Sequence, residues 1–160
     1  MTVTASFSGN CPFCRTDLAT KSFMSNDQFL AVYNIAPVLP GHSLVVPRRH
    51  ARSLLDLTAG EISGLFLFSR QVTTLLMKAF GGNGFDWSLQ DGKSAGQTVD
   101  HLHLHIIIRK DNDLSSPGDW YPKVEKADNT LLDSFDRKQL SDAEYNRISG
   151  YLRTLCDAQK

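Results

Sequence analysis

The sequence predicts an α+β protein in which an antiparallel sheet of about five strands carries one long helix and a C-terminal helix. Three observations lead to this prediction. Short β-branched and aromatic segments follow one another closely, one helical pattern is long, and strands and helices do not alternate regularly. A doubly wound parallel sheet needs that alternation, so an antiparallel architecture is favoured.

Four segments have the pattern of strands. Residues 29–34 are β-branched and aromatic, and residues 42–47 follow them after a turn rich in proline and glycine, which predicts neighbouring strands. Residues 85–90 and 99–108 are separated by the turn-rich stretch 91–96. The second pair is therefore predicted to form a hairpin with a long loop.

Two segments have the pattern of helices. Thr58 and Glu61 have capping-box spacing, and apolar residues then recur at helical spacing through residues 62–80 until a pair of glycines offers a stop. Ser141 and Glu144 form a second capping box, and the apolar residues that follow share one helical face. A helix is therefore expected near the end of the sequence.

The bulk composition is that of one globular domain. A length of 160 residues, with 41% hydrophobic and 21% charged residues, predicts a single core. We expect one domain over residues 1–160, with its core in about 11–110 and a tail and helix in 111–160. Trp120 and Tyr121, which lie in this tail, are assigned no function.

The charge balance excludes several classes of partner. Lysine plus arginine and aspartate plus glutamate number 17 each, so no global field attracts nucleic acid or an anionic membrane. No apolar run approaches the roughly 18 residues of a membrane span. The first residues do not resemble a secretory signal, so a cytoplasmic protein is expected. An anionic ligand must therefore be held by local groups.

Three of the five histidines fall in the run His-Leu-His-Leu-His at residues 101–105. Because side chains alternate across a strand, a strand here would place the three imidazoles on one face and the two leucines in the core. One alternative is a polar face satisfied by solvent, and another is a metal site built from all three imidazoles. Neighbouring positions on one strand face are about 6.5–7 Å apart, which fits three ligands of one ion poorly. Different roles for the three histidines are therefore favoured.

This run is part of a longer motif. Residues 96–107, Gly-Gln-Thr-Val-Asp-His-Leu-His-Leu-His-Ile-Ile, resemble the signature of the histidine-triad superfamily. Residues 34–42, 46–47 and 90–92 resemble the fragile-histidine-triad branch in particular, whose members hydrolyse diadenosine polyphosphates. The similarity covers about residues 29–109, half of the chain. It implies a histidine-triad (HIT)-like fold and a homodimer formed by joining the sheets and neighbouring helices of two protomers.

The resemblance implies a mechanism through a nucleotidyl-enzyme. His103 would attack the α-phosphorus of a dinucleoside polyphosphate, and water would then hydrolyse the phosphoramidate. This requires a neutral His103 with one nitrogen available, while its other nitrogen donates to a backbone carbonyl. His105 would donate to a phosphate oxygen as charge builds. In the uridylyltransferase branch glutamine replaces this last histidine, so His105 favours transfer to water.

The same resemblance implies the substrate contacts. The nucleotide-binding residues would be Asn34, Gln90, Gly96, Gln97, Thr98, Val99 and His105. The backbone donors of residues 96–99 and the polar side chains of Gln97 and Thr98 would cradle the α-phosphate and help to protonate the leaving oxygen. Asn34 would bind the ribose hydroxyls, Gln90 the phosphate, and apolar residues in 29–32 the base. His42 is interpreted as structural rather than catalytic.

Two of the three cysteines form a Cys-Pro-Phe-Cys motif at residues 11–14, and an odd cysteine count argues against a disulfide framework. Proteins of the fragile branch lack this pair. Other histidine-triad proteins bind zinc with such a pair, a histidine after the second strand and the first triad histidine. Here these residues would be Cys11, Cys14, His50 and His101. A closed site of this composition is typical of structural Zn²⁺, and free or redox-active thiols are the alternative.

Three functions compete. The first is hydrolysis of diadenosine polyphosphates, with nucleoside phosphoramidase activity as a neighbour that shares the same intermediate. The second is a nucleotide-binding sensor or interaction protein with slow turnover. The third is a zinc-dependent hydrolase with metal-bound water, which is disfavoured because two cysteines and two histidines would leave no coordination position open.

Overall fold

The computed structural model describes residues 11–115 and 137–158, so Trp120 and Tyr121 lie outside the described residues. Within these ranges five antiparallel strands form one sheet in the order β1-β2-β3-β5-β4. The strands are β1 (Met24–Ser25), β2 (Phe29–Tyr33), β3 (Ser43–Pro47), β4 (Gly84–Ser88) and β5 (Leu104–Arg109). The α-helices are α1 (Leu18–Lys21), α2 (Ala59–Phe80) and α3 (Asp142–Asp157). The α+β prediction is confirmed.

Both predicted strand pairs are present. Strand β2 pairs with β3, and β4 pairs with β5 across the long loop between them. Strand β5 lies between β3 and β4, with His105 opposite Leu44 on one side and Ser88 on the other. His105 therefore sits in the middle of the sheet.

The prediction of one strand through residues 99–108 is wrong, because β5 begins only at Leu104. Before that residue the chain bends. The N–H of His101 donates to the carbonyl of Val99 at 2.8 Å, and the N–H of Leu102 donates to the carbonyl of Ala51 at 2.6 Å. The loop after β3 thus takes the place of a strand partner. Of the three triad histidines only His105 lies in a strand, and they do not form one strand face.

The two faces of the sheet pack against different parts of the chain. One face packs against α2 and α3 in a core that includes Val45, Leu65, Leu104 and Leu152. The opposite face is a smaller apolar cluster of Leu30, Val32, Leu44 and Val46, against which Phe13 and Leu18 pack. His105 shares this second face, because residues paired directly across an antiparallel ladder lie on the same side. The histidine site is therefore on the sheet face opposite the long helices.

Both predicted capping boxes are present. The Thr58 hydroxyl accepts from the N–H of Glu61, and the same arrangement joins Ser141 to Glu144 at the start of α3. Helix α2 ends at Gly81, whose φ of 65° is the left-handed conformation that glycine adopts at low cost. A hydrogen bond from Arg49 at 2.6 Å lowers the pKa of Glu61 to about 2. This ion pair ties the start of α2 to the loop that carries His50.

None of the helices within residues 11–115 and 137–158 is long and apolar enough to cross a membrane.

Candidate active site and metal centre

The four predicted metal ligands come together although they lie far apart in the sequence. One ligand atom from each of Cys11, Cys14, His50 and His101 falls within 4.8 Å of all the others. The Sγ of Cys14 is 3.2 Å from Nδ1 of His50 and 3.5 Å from Nδ1 of His101, and the Sγ of Cys11 is 3.4 Å from the same His101 nitrogen. In a tetrahedral zinc site, sulfur and nitrogen ligands would be about 3.6 Å apart. The cluster therefore has the size and the donors to hold a metal ion.

The surroundings of His101 set the tautomer that a metal requires. Its Nε2 lies 2.9 Å from the carbonyl of Pro47, which can only accept, so Nε2 carries the proton and Nδ1 presents its lone pair to the thiols. Burial is the main cause that lowers the pKa of His101 to about 4; the hydrogen bond to Pro47 opposes the shift, and His50 and His103 contribute to it. His101 is thus neutral at pH 7, as a metal ligand must be.

The Cys14 thiol is protonated when no metal is bound. Burial raises its pKa to about 11, and the neighbouring Cys11 adds to the effect. A metal ion at this position would replace the thiol proton, because thiolate is the form that binds metal.

His103 has the hydrogen bond that a nucleophilic imidazole needs. Its Nδ1 lies 2.7 Å from the backbone carbonyl of His101, so Nδ1–H donates and Nε2 carries the lone pair. This confirms the expected bond from His103 to a backbone carbonyl. The imidazole is fully buried and contacts the ring of Phe13, with the two ring centroids 5.3 Å apart.

His105 is set by a chain of hydrogen bonds that sequence reasoning did not find. The N–H of Val38 donates to Nδ1 of His42 at 3.1 Å, so a neutral His42 carries its proton on Nε2. That nitrogen lies 2.9 Å from Nδ1 of His105, which must then accept. A neutral His105 therefore carries its proton on Nε2 and can donate it to an anion. His42 is structural, as predicted, but its role is to orient His105.

The two triad histidines outside the metal cluster lie side by side. The ring centroids of His103 and His105 are 5.0 Å apart, and both rings are fully buried. Nε2 of His103 carries a lone pair, whereas Nε2 of His105 carries a proton. The difference arises because Nδ1 of His103 donates to the His101 carbonyl, while Nδ1 of His105 accepts from His42. A nucleophile and a hydrogen-bond donor are thus adjacent.

The loop before the histidines is held by its own glutamine. The Gln97 carbonyl oxygen accepts from the N–H of Gly92 at 2.7 Å, and its amide nitrogen donates to the carbonyl of Arg52 at 2.9 Å. Gly92 and Gly96 have φ values of 90° and 93°, which allow this tight turn. Thr98 follows and is exposed. The backbone N–H groups of Gly96 and Gln97 also donate inside the loop, to the carbonyls of Lys93 and Gly92.

Gln90 lies just beyond the end of β4, where its Nε2 donates to the Ser88 hydroxyl at 3.1 Å. Ser88 pairs with His105 across the sheet. Gln90 is therefore positioned by Ser88, the strand partner of the triad histidine His105.

A cavity of about 570 Å³ lies between the N-terminal segment, the end of β2 and the start of α3. Asn34 and Val99, both predicted to bind nucleotide, line it, and Phe13 lines it as well as contacting His103. Asn34 is anchored by a hydrogen bond at 2.8 Å from the N–H of Ala36 to its side-chain oxygen. Phe13 was missed in the sequence because it lies inside the cysteine motif, where only the thiols were considered.

Two oriented histidines of a His-Leu-His-Leu-His run, at the start of β5 in an antiparallel sheet, are the arrangement expected of the histidine-triad class of proteins. The HIT domain family model matches residues 15–112, and the chain belongs to this family.

Similar proteins include named hydrolases. The chain is 36% identical over 138 residues to a bis(5'-adenosyl)-triphosphatase of Dictyostelium discoideum, covering 86% of this chain and 87% of that protein. It is 38% identical over 119 residues to an asymmetrical bis(5'-nucleosyl)-tetraphosphatase of Schizosaccharomyces pombe, covering 74% and 65% of the two chains. A zinc-bound histidine triad family protein from Mycobacterium smegmatis shares the fold, with a TM-score of 0.67, 23% identity and coverage of 96% and 100%.

The hydrogen bonds predict opposite tautomers for the two adjacent histidines. Long-range ¹H–¹⁵N NMR spectra should show His103 protonated at Nδ1 and His105 protonated at Nε2. In His42→Leu, the His105 signals should shift towards a mixture of tautomers, because its Nδ1 loses the donor, while those of His103 stay unchanged. Unchanged His105 signals in this variant would contradict the assigned role of His42.

Proposed function

We propose that this protein hydrolyses diadenosine polyphosphates, or related nucleotidyl conjugates, at the α-phosphate through a nucleotidyl intermediate on His103. One observation carries the proposal: the bond from Nδ1 of His103 to the His101 carbonyl directs the lone pair to Nε2, the atom that must attack. The two named relatives, a triphosphatase and a tetraphosphatase of dinucleotides, support the substrate class.

The chemistry has two steps. In the first, Nε2 of His103 forms a bond to the α-phosphorus as the bond to the leaving oxygen breaks, and the Thr98 hydroxyl helps to protonate that oxygen. In the second, water attacks phosphorus, the phosphorus–nitrogen bond breaks and His103 recovers its lone pair, while the proton that the water loses restores the Thr98 hydroxyl. His105 donates from Nε2 to a nonbridging oxygen and stabilises the charge in both transition states.

The cavity lined by Phe13, whose ring contacts His103, would hold the nucleoside. Its apolar residues suit the base and Asn34 the ribose, and Val99 also lines it. Gln90 and the loop that contains Gly96, Gln97 and Thr98 would bind phosphate. We infer that the site belongs to one domain over residues 1–160, with its core in about residues 11–110 and a tail and helix in 111–160. The three free thiols favour a reducing, cytoplasmic location.

Replacing His103 tests the nucleophile. His103→Asn should lower the turnover of diadenosine triphosphate by about 10⁴-fold or more, because no other group can form the intermediate. AMP binding, measured by calorimetry, should change by less than about threefold, because losing one net hydrogen bond costs little. Residual turnover near the wild-type rate would remove His103 as the nucleophile.

A comparison of substrates tests the substrate class. The values of kcat/KM should be measured on diadenosine triphosphate, diadenosine tetraphosphate and an adenosine phosphoramidate. A preference for the phosphoramidate would make the protein a phosphoramidase.

We propose that the cluster of Cys11, Cys14, His50 and His101 holds a structural Zn²⁺. Two thiolates and two imidazoles are the donors that zinc prefers, and they fill a tetrahedral shell without an open position. When bound, the ion crosslinks the N-terminal segment to the chain around His50 and His101. Catalysis would come from the other two triad histidines.

Elemental analysis tests the zinc site. Protein purified without chelator should contain about one equivalent of zinc, and changing Cys11 and Cys14 together to serine should remove it and lower the melting temperature. Cys156→Ser is the matched control, since this third free thiol lies on α3 away from the cluster. It should keep the metal. A folded, active protein that contains no zinc would overturn the assignment.

We propose a homodimer formed through β4. This strand is at the edge of the sheet, and Phe85 on it is 50% exposed. Phe66 and Leu67 of α2 are also exposed, and Trp87 contacts the rings of both phenylalanines. An apolar edge strand beside an apolar helix surface favours pairing with a second copy, which would join two sheets into one.

Sedimentation tests this interface. Phe85→Lys should convert a dimer to a monomer, because it places a charge in the centre of the joined surface. Leu55→Lys is the control, since Leu55 is 91% exposed but lies in the loop before α2. A wild-type protein that sediments as a monomer, or two variants with equal effects, would exclude the β4 interface.

A further inference from the structure

The segment of residues 51–54, here called the bridging segment, is bonded to two parts of the site. The Ala51 carbonyl accepts from the N–H of Leu102, within the histidine run, at 2.6 Å. The Arg52 carbonyl accepts from Nε2 of Gln97, in the loop before that run, at 2.9 Å. Because both partners come from a distant part of the sequence, the bridging segment fixes the histidine run and the loop relative to each other.

Asp91 makes a third connection to the bridging segment. One carboxylate oxygen, Oδ2, accepts from the Ser53 hydroxyl at 3.0 Å and from the N–H of Leu54 at 2.8 Å. An aspartate in a turn commonly bonds to the backbone just after it, whereas these two donors lie 38 and 37 residues before Asp91. Hydrogen bonds to a charged acceptor are stronger than those between neutral groups. The carboxylate therefore fastens two distant loops together.

Asp91 lies between two residues that are expected to contact phosphate. Gln90 precedes it, and the Gln90 amide nitrogen donates to the Ser88 hydroxyl at 3.1 Å. The buried side-chain oxygen of Gln90 has no hydrogen-bond partner within the described residues. Gly92 follows Asp91, and its N–H donates to the side-chain oxygen of Gln97 at 2.7 Å. The turn from Gly92 to Gln97 is thus closed by its own hydrogen bonds, while Gln90 outside it is held by one.

The loop is attached to the bridging segment at two points, through Asp91 at its start and Gln97 at its end. A turn attached at one point can rotate about that point, whereas a turn attached at two points cannot. Without the Asp91 carboxylate, the turn and the bond from Gln97 would remain, but the half of the loop next to Gln90 would lose its attachment. The orientation of Gln90 therefore depends on Asp91.

We propose that Asp91 is a positioning residue of the reaction, whose carboxylate holds Gln90 and the loop after it in the orientation that contacts the phosphate. Asp91 touches no reacting atom and acts through the loop. An acidic side chain facing an anionic substrate would repel it, but this carboxylate faces the Ser53 hydroxyl and the Leu54 N–H. The proposal rests on the proposed function in that the loop binds phosphate.

Nucleotide binding tests this role without turnover. In the His103→Asn protein, calorimetry should show AMP bound at least about 10-fold more tightly than adenosine, because the loop contacts the phosphate. Adding Asp91→Ala should lower this AMP-to-adenosine affinity ratio about fivefold. Adding Asp91→Asn should keep the ratio within about twofold, since the amide oxygen can accept from both donors. Asp27→Ala is the matched control, because it removes the same charge from an exposed turn between β1 and β2. It should leave the ratio unchanged.

Turnover gives a second readout in the protein with His103 intact. Asp91→Ala should lower kcat/KM for diadenosine triphosphate at least about 30-fold, with most of the loss in kcat, because misplaced phosphate contacts are lost chiefly in the transition state. Asp91→Asn should restore most of it. A residue needed only for folding would lower the melting temperature and leave the AMP-to-adenosine ratio of the folded protein unchanged.

The outcomes separate this proposal from the proposed function. A protein whose AMP-to-adenosine ratio falls in Asp91→Ala, but which hydrolyses no dinucleotide, supports the role of Asp91 and refutes the hydrolase. An active protein in which Asp91→Ala changes neither the ratio nor kcat keeps the hydrolase and overturns the proposal. Equal affinities for AMP and adenosine in the parent protein would also overturn it. So would equal losses in Asp91→Ala and Asp27→Ala, which would report net charge alone.

Discussion

His101 joins more of the site than any other residue. Its Nε2 donates to the carbonyl of Pro47 at the end of β3, its Nδ1 faces the two thiols, and its own carbonyl accepts from Nδ1 of His103. One residue therefore fixes the end of a strand, the metal cluster and the tautomer of the nucleophile. Because each of these bonds is buried, the loss of any partner would leave an unsatisfied polar group, which costs about 1–3 kcal/mol. Each of these three interactions therefore helps to hold His101 in the orientation that the other two require.

This arrangement explains why three histidines in one short run have three different roles. His105 lies inside β5, where the sheet fixes its direction and His42 fixes its tautomer. His101 lies before the strand, where the bend allows it to reach Cys11 and His50. A continuous strand would have held all three imidazoles about 6.5–7 Å apart on one face. The bend before β5 is thus the structural basis for the division of roles.

The sequence predicted the features that depend on local chemistry. Both long helices were predicted because caps such as Thr58 and Ser141 act within one turn, and β2 and β3 because their composition and connecting turn are local. The start of β5 was wrong because the competing partner of Leu102, the carbonyl of Ala51, comes from another part of the chain. The contact between the segment before α3 and the loop after β2 was missed for the same reason. The bond from Leu140 to Ile35 leaves no periodic or motif signal in either segment.

The cysteine motif has a second consequence, which concerns the residue between its thiols. Phe13 contacts the rings of both His101 and His103, with centroid distances of 5.6 and 5.3 Å, and also lines the cavity. Its position depends on the short turn between Cys11 and Cys14. Any ion that binds the two thiols also holds this turn against the rest of the protein. A metal in this cluster would therefore hold an aromatic wall of the cavity in place as well as His101. The metal would therefore act on the site through the packing of Phe13. It would lie at a distance from the phosphorus and would have no open coordination position.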